Sequence, residues 1–377
     1  MSILIGADLV PTKSNMEFFE SGNITELIDE RLIVELNQAR YRIFNLEVPL
    51  VDKETPIKKC GPNLIAPTQS VLGIKKLGVN FFTLANNHIL DQGEEGLFST
   101  INTLTDAGIA FAGAGNTLEE ASKPFIFEFN GKKVGVYCCA EHEFSILSES
   151  RAGANPFDPL ESLDHVQDLK NKTDYVIVLY HGGKEHYRYP SPYLQRVCRK
   201  MIEKGANLVI CQHTHCIGCE EKYKSGTIVY GQGNFLFDMS ENEYWQTSIV
   251  IRIKDNFEIE YIPLKKNGLK VQIPDKRESK LILKEFMFRS MEIKKQGFIE
   301  KKYDEFSDEI IWNYMSVISG KSTKNILFRI INKISKYKFS KWYIKRKYSS
   351  NDKLALINYL ECEAHRELFE RGLRRLI

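Results

Sequence analysis

The 377-residue sequence predicts an α/β fold, and three observations lead there. Short, β-branched apolar runs alternate with helix-like stretches from the start to about residue 265. Metal-binding side chains recur directly after those runs, where ligand sites of α/β sheets assemble. Past Pro263 the strand pattern gives way to long charged segments of helical period, such as Lys280–Lys295 and Lys353–Leu376. The expected strands are Ile3–Ala7, Arg42–Leu46, Asn80–Leu84, Val134–Cys138, Tyr175–Leu179, Leu208–Cys211, Thr227–Tyr230 and Ser248–Ile253. Two helices between them are well marked. One runs from about Glu94 to Ala107 and stops at Gly108. The other has Ser191 as N-cap, Pro192 in the first position and Gly205 past its end. The expected division is a catalytic-type domain over residues 1–268 and a helical, basic extension over 269–377.

Composition places the chain among ordinary globular proteins, 43% apolar and 27% charged, with a sizeable buried core. The opening residues Met1 to Asp8 lack the basic segment of a secretory signal and read as a first strand. No apolar stretch approaches the roughly 18 to 20 residues of a membrane-spanning helix, so a cytoplasmic location is expected. The eight cysteines are irregularly spaced in a chain too long to need a disulfide scaffold, and reduced thiols are the default. Cys216 and Cys219 form a C-x-x-C pair beside two histidines, a pattern of some structural zinc sites, but no second pair follows at suitable spacing.

Net charge is only +3, yet Lys321–Ser350 holds ten basic residues and no acidic one, so the remainder is net −7. Interleaved with Phe328, Phe339, Trp342 and Tyr343, this run suits an anionic membrane surface, a polyanionic polymer or an assembly partner. A solvated helical face with aromatics turned inward is the favoured reading. Nucleic acid is the least favoured partner, since that reading rests on charge alone.

The chemistry sits in a few short segments: Gly6-Ala7-Asp8, Asn45-Leu46-Glu47, Asn86-Asn87-His88-Ile89-Leu90-Asp91, His181-Gly182-Gly183, and Gln212-His213-Thr214-His215. Singly each is ordinary; a strand-terminal Asp is commonly a cap and a lone loop His is commonly structural. H-x-H in extended backbone would point both rings the same way. Mixed carboxylate, amide and imidazole donors suit Mn²⁺, Fe²⁺ or Zn²⁺. Glu185, His186 and Arg188, on the loop after His181, are candidate substrate contacts, Arg188 through its planar fork. Asn234 in Gly233-Asn234-Phe235 could hydrogen-bond the site or shape a turn, and the turn is the favoured reading.

These segments resemble, in order and spacing, the poly-γ-glutamate capsule-synthesis (CapA) family of the calcineurin-like metallophosphoesterase superfamily. The resemblance spans about residues 3 to 240 and includes Gly113-Ala114-Gly115 and Tyr230-x-x-Gly233-Asn234-Phe235. It implies a β-sandwich flanked by helices, one or two divalent metals, and a bacterial role in capsule or exopolymer production. By the same resemblance Asp8, Glu47, Asn87, His181, His213 and His215 are metal ligands, with Glu47 bridging. His88, steered by Asp91, is the histidine that protonates a leaving group or stabilises phosphoryl oxygens. Two departures stand out. The superfamily's D-x-H becomes Asp8-Leu9-Val10, removing one ligand, and Glu47 stands where an aspartate is usual.

Two functions follow as expectations. One is a metal-dependent hydrolase cleaving a phosphoester, ester or amide bond in an anionic polymer or phosphorylated precursor. The other is a non-catalytic component of a polymer-synthesis or export assembly, which the missing histidine favours.

Overall fold

A computed structural model describes residues 1–237, 241–319, 326–336, 338–362, 365, 366, 368, 369, 372 and 373. Among the described residues sixteen strands run in chain order: β1 Ser2–Leu9, β2 Ala39–Leu46, β3 Phe81–Thr83, β4 Ala110–Ala112, β5 Ala114–Gly115, β6 Phe125–Phe129, β7 Lys132–Ala140 and β8 Gly153–Ala154 come first. They are followed by β9 Tyr175–His181, β10 Leu208–Gln212, β11 Glu220–Tyr223, β12 Gly226–Tyr230, β13 Asn234–Leu236, β14 Thr247–Ile253, β15 Ile259–Asn267 and β16 Lys270–Gln272. One large sheet has the order β16-β15-β14-β1-β2-β3-β4, with β13 paired to β1; a second is β11-β12-β10-β9-β7-β6, and β5 and β8 form a separate two-stranded pair. All eight expected runs are strands, and the α/β class with two sheets flanked by helices is the observed architecture.

The period of two along each strand explains the layering. Val134, Val136 and Cys138 of β7, Ile177 and Leu179 of β9, and Leu208 and Ile210 of β10 join β1, β2, β3 and β14 in one core. Their alternates, Tyr137, Cys139, Val178, Tyr180, Val209 and Cys211, face the helices Ser162–Lys172 and Pro192–Glu203 in a second. Both sheets are therefore buried on two faces over their central strands, which is why those runs read as nearly continuous apolar stretches. Close approach is part of this packing: a Cβ on Gly6 would lie 2.1 Å from the buried Phe44 ring.

The expected helix signals hold. Ser191 accepts from Leu194 N at 3.0 Å, Pro192 opens the helix, and Gly205 has φ +113. The helix Gly93–Asp106 ends before Gly108, whose φ is +71.

The first compact unit is Met1–Ile299, so it runs past the boundary expected after residue 268. The reason is packing. In the helix Lys276–Glu292, Phe286 is fully buried in the first core, Arg289 Nε donates to Gly218 O at 2.8 Å, and Ser290 Oγ accepts from Glu220 N at 2.7 Å.

The second unit, Glu300–Ile377, is helical over its described residues. Phe328 of helix Ile326–Ile334 packs edge-on against Phe339 and Tyr343 of helix Lys338–Lys347, and Ser340 N donates to Asn332 Oδ1 at 3.0 Å. A capping box at Ser349 and Asp352 starts the helix Ser350–Glu361. Lys321, Lys324 and Tyr337 of the basic run lie outside the described residues. Among the described residues no helix is long and apolar enough to cross a membrane.

Candidate metal centre

β1, β2 and β3 are mutually parallel, as are β9 and β10, so their carboxyl ends gather at common edges. Asp8 lies in the last turn of β1's path, Glu47 directly follows β2, Asn87 and His88 follow β3, His181 closes β9, and His213 follows β10. Gln212 Nε2 ties the two sheets here by donating to Gly6 O at 3.1 Å.

The six expected ligands are brought together. His181 Nε2 lies 3.0 Å from Asn87 Oδ1 and 3.2 Å from Glu47 Oε1. Asp8 Oδ2 lies 3.2 Å from His215 Nδ1. The ring centroids of His181 and His213 are 4.7 Å apart, and those of His213 and His215 are 5.9 Å apart. One ligand atom each from Glu47, His213 and His215 lie within 4.8 Å of one another.

The H-x-H segment gathers its rings in a different way from the one expected of extended backbone. His213 has φ +94 and His215 φ +50, both in the left-handed region that side chains other than glycine seldom occupy. β10 bends sharply here, and such strain at a cluster of polar groups is characteristic of functional sites.

A supporting layer went unread in the sequence. Asn45 Nδ2 donates to Asp8 Oδ1 at 2.8 Å and sits 3.3 Å from His181 Nδ1, while Asn86 Nδ2 donates to Asn45 Oδ1 at 3.0 Å. Asn87 Nδ2 donates to Glu143 Oε2 at 2.9 Å, which turns the amide oxygen toward His181. Asn234, expected in a turn, is instead a strand residue in register with Asp8 whose Oδ1 is 2.8 Å from His215 Nδ1. That contact leaves Nε2 as the free donor of His215. The sequence signal for these partners was only their place beside the motif residues.

Val10, which replaces the superfamily's histidine, is fully buried and apolar, so β1 supplies Asp8 alone.

The donor set fits a divalent cation. Both Glu47 oxygens and His213 Nδ1 are buried without a well-formed hydrogen bond, His181 Nε2 standing 3.2 Å from Glu47 Oε1 as an ion-pair neighbour. An unpaired buried carboxylate is costly by several kcal/mol, and a bound cation is the usual remedy. Burial pushes the Glu47 carboxyl up, but the charges of His181 and His215 outweigh it and hold it below its ordinary range. Burial, then the neighbouring histidines, holds His213 well below 6.5, so it is neutral and ready to donate a lone pair. Burial lowers His215 too, but Glu47 and Asp8 carry it up to about 10. Cys216 and Cys219 are buried free thiols outside this cluster.

Beside the cluster, His88 Nδ1 lies 2.6 Å from Asp91 Oδ2, leaving Nε2 unengaged by Asp91. Asp91 is fully buried; it accepts from Leu64 N at 2.6 Å and pairs with the Lys59 ammonium. Lys59 Nζ is also 3.2 Å from His88 Nδ1, and its side chain is 2% exposed. Lys59 went unread because it lies in a polar loop with no periodic pattern.

Of the candidate substrate contacts, Glu185 is exposed. His186 Nε2 accepts from Trp245 Nε1 at 3.1 Å and its ring stacks on Tyr244, while Arg188 donates to Ile217 O at 3.2 Å and covers the Tyr244 ring. Trp245 in turn lies 5.7 Å from the His215 ring, so this aromatic wall borders the cluster.

Carboxylate, amide and imidazole groups thus meet at the strand ends of an α/β fold, the place where ligand sites of such sheets assemble. Residues 13–239 match the family described as "Bacterial capsule synthesis protein PGA_cap", and the chain belongs to that family. It is 27% identical over 242 residues to the capsule biosynthesis protein CapA of Bacillus anthracis, across 62% of this chain and 59% of that one. It is 28% identical over 207 residues to the PGA biosynthesis protein CapA of Bacillus subtilis (strain 168), across 53% and 51%. The chain thus spans a little over half the length of these relatives. Among solved structures, a phosphatase from Mycoplasma pneumoniae superposes with a TM-score of 0.46 at 14% identity, over 71% of this chain and 95% of that one.

Proposed function

We propose that the chain is a metal-dependent hydrolase of capsule or exopolymer biosynthesis. It would cleave a phosphoester, ester or amide bond in an anionic polymer or phosphorylated precursor. The observation that carries this reading is Glu47: a fully buried carboxylate without a well-formed hydrogen bond at either oxygen, with His181 Nε2 3.2 Å from Oε1 and ligand atoms of His213 and His215 within 4.8 Å. Asp8, Glu47, Asn87, His181, His213 and His215 would hold Mn²⁺, Fe²⁺ or Zn²⁺. When bound, such an ion lowers the pKa of a coordinated water toward about 7 and polarises a substrate oxygen.

The chain's own residues supply the rest. His88, anchored through Nδ1 by Asp91, offers Nε2 to a leaving-group oxygen, and no protein nucleophile is required. Lys59 pairs with Asp91 and fixes its position. His186, Tyr244 and Trp245 form a wall on the His215 side and keep solvent from that edge.

Metal content and turnover of aryl phosphate mono- and diesters test the reading in wild type, His213→Ala and His88→Ala. Near-stoichiometric metal lost in His213→Ala, with turnover lost in both variants, supports it. Metal-free, inactive wild type would sink it. The second reading, a non-catalytic component of a polymer-synthesis assembly, is favoured by Val10 in place of a ligand, and that same outcome would establish it.

A further inference from the structure

The helix Ile326–Ile334 turns its apolar residues outward. Ile326, Leu327 and Ile334 are 70%, 71% and 78% exposed, and Ile330 and Ile331 are exposed as well. Their spacing places all five on one stripe of the helix. The side turned toward the neighbouring helix carries Phe328 and the polar Asn332, the reverse of what a helix packed in a water-soluble bundle presents.

Arg329 and Lys333 flank that stripe on the same helix, and the turn and helix that follow carry six more exposed cations: Lys336, Lys338, Lys341, Lys345, Arg346 and Lys347. Residues 326–350 contain no acidic residue, and none of the eight makes an ion pair among the described residues. On the adjoining helix Trp342 is exposed, with Arg346 over its ring at 5.8 Å.

We propose that this face docks on an anionic lipid surface, the isoleucines and Trp342 entering the interface while the cations meet lipid phosphates. The combination decides the partner. Amphipathic helices that lie on membranes join an apolar stripe to lysine and arginine, and tryptophan favours the headgroup level. Anionic headgroups attract each cation near them. A soluble polyanion would engage the cations and leave the apolar stripe in water. A second copy would bury the stripes but crowd two sets of unpaired cations together.

The test uses the full chain and extruded vesicles of phosphatidylcholine alone or mixed with phosphatidylglycerol, read by flotation. Wild type is expected to float with the phosphatidylglycerol vesicles and to stay behind with phosphatidylcholine. Binding should fall at least tenfold in the pair Ile330→Asp, Ile334→Asp and in the pair Lys341→Glu, Lys345→Glu. An unchanged thermal midpoint certifies each variant; the pair Ile326→Ser, Leu327→Ser replaces any that unfolds. Wild type that ignores both vesicles overturns the proposal. So does vesicle binding that survives the isoleucine changes and is competed away by soluble polyglutamate, which would make the face a polyanion site. Self-association without lipid that the isoleucine changes disperse would make it a dimer interface.

Discussion

Asn45 donates its side-chain amide to Asp8 Oδ1 at 2.8 Å, joining adjacent parallel strands directly beneath the metal cluster. The same amide nitrogen is 3.3 Å from His181 Nδ1, so one residue orients ligands from both sheets. Partners of metal ligands typically account for 10- to 100-fold in affinity. Asn45→Leu should lower metal affinity by about that factor, measured by chelator competition. It should also cost about 1–3 kcal/mol, because Asn86 and Asp8 each lose a buried partner.

His88 and Lys59 should separate chemistry from support. His88→Ala is expected to lower turnover by about 10² to 10⁴ while metal content stays, as loss of a positioned proton donor does. Lys59→Met leaves Asp91 buried without its cation and should cost about 3–5 kcal/mol in denaturant unfolding. A Lys59→Met protein as stable as wild type would show that the pair contributes nothing to the fold.

Metal should stabilise the protein in proportion to its occupancy. Glu47 is the buried group with most to gain, and a ligand at 100 times its dissociation constant adds about 2.7 kcal/mol. Manganese, iron or zinc added to chelator-stripped protein should raise the unfolding midpoint in wild type and leave Glu47→Gln nearly unmoved.

Alkali should loosen the fold before neutral pH does. Burial pushes the Cys138 thiol up to about 12 and the Cys216 thiol up to about 11, against an ordinary 9.0. Below the ordinary value both folded and unfolded chains keep these protons, and the contribution is fully present. Above it the unfolded chain loses protons that the folded chain retains, so stability falls as pH rises toward the folded values. The thermal midpoint should decline above about pH 9. Native alkylation at lower pH should reach Cys60 and Cys362, which are not buried, and spare the other six.

What could be read from the sequence follows physical lines. The central strands were legible because burial on both faces makes β7, β9 and β10 continuous apolar runs. The edge strand β11 and its counterpart β15, next to the edge of the other sheet, were not, since Glu220-Glu221-Lys222 and Lys265-Lys266 look like loop or helix surface. Ligand types were legible as motifs. Asn45, Glu143 and Lys59 were not, because a polar residue acquires a role in support only from neighbours distant in sequence. Ser191 and Pro192 signalled their helix locally, whereas the helix Lys276–Glu292 joins the first unit through contacts no local signal records.

The backbone at His213 and His215 carries one last implication. Each occupies a conformation that glycine or asparagine would adopt at lower cost. The fold would therefore gain from losing its histidines there, and random drift would carry a chain released from its task toward glycine at both positions. Two histidines kept in that geometry mark a site whose upkeep runs against the interest of the scaffold that bears it.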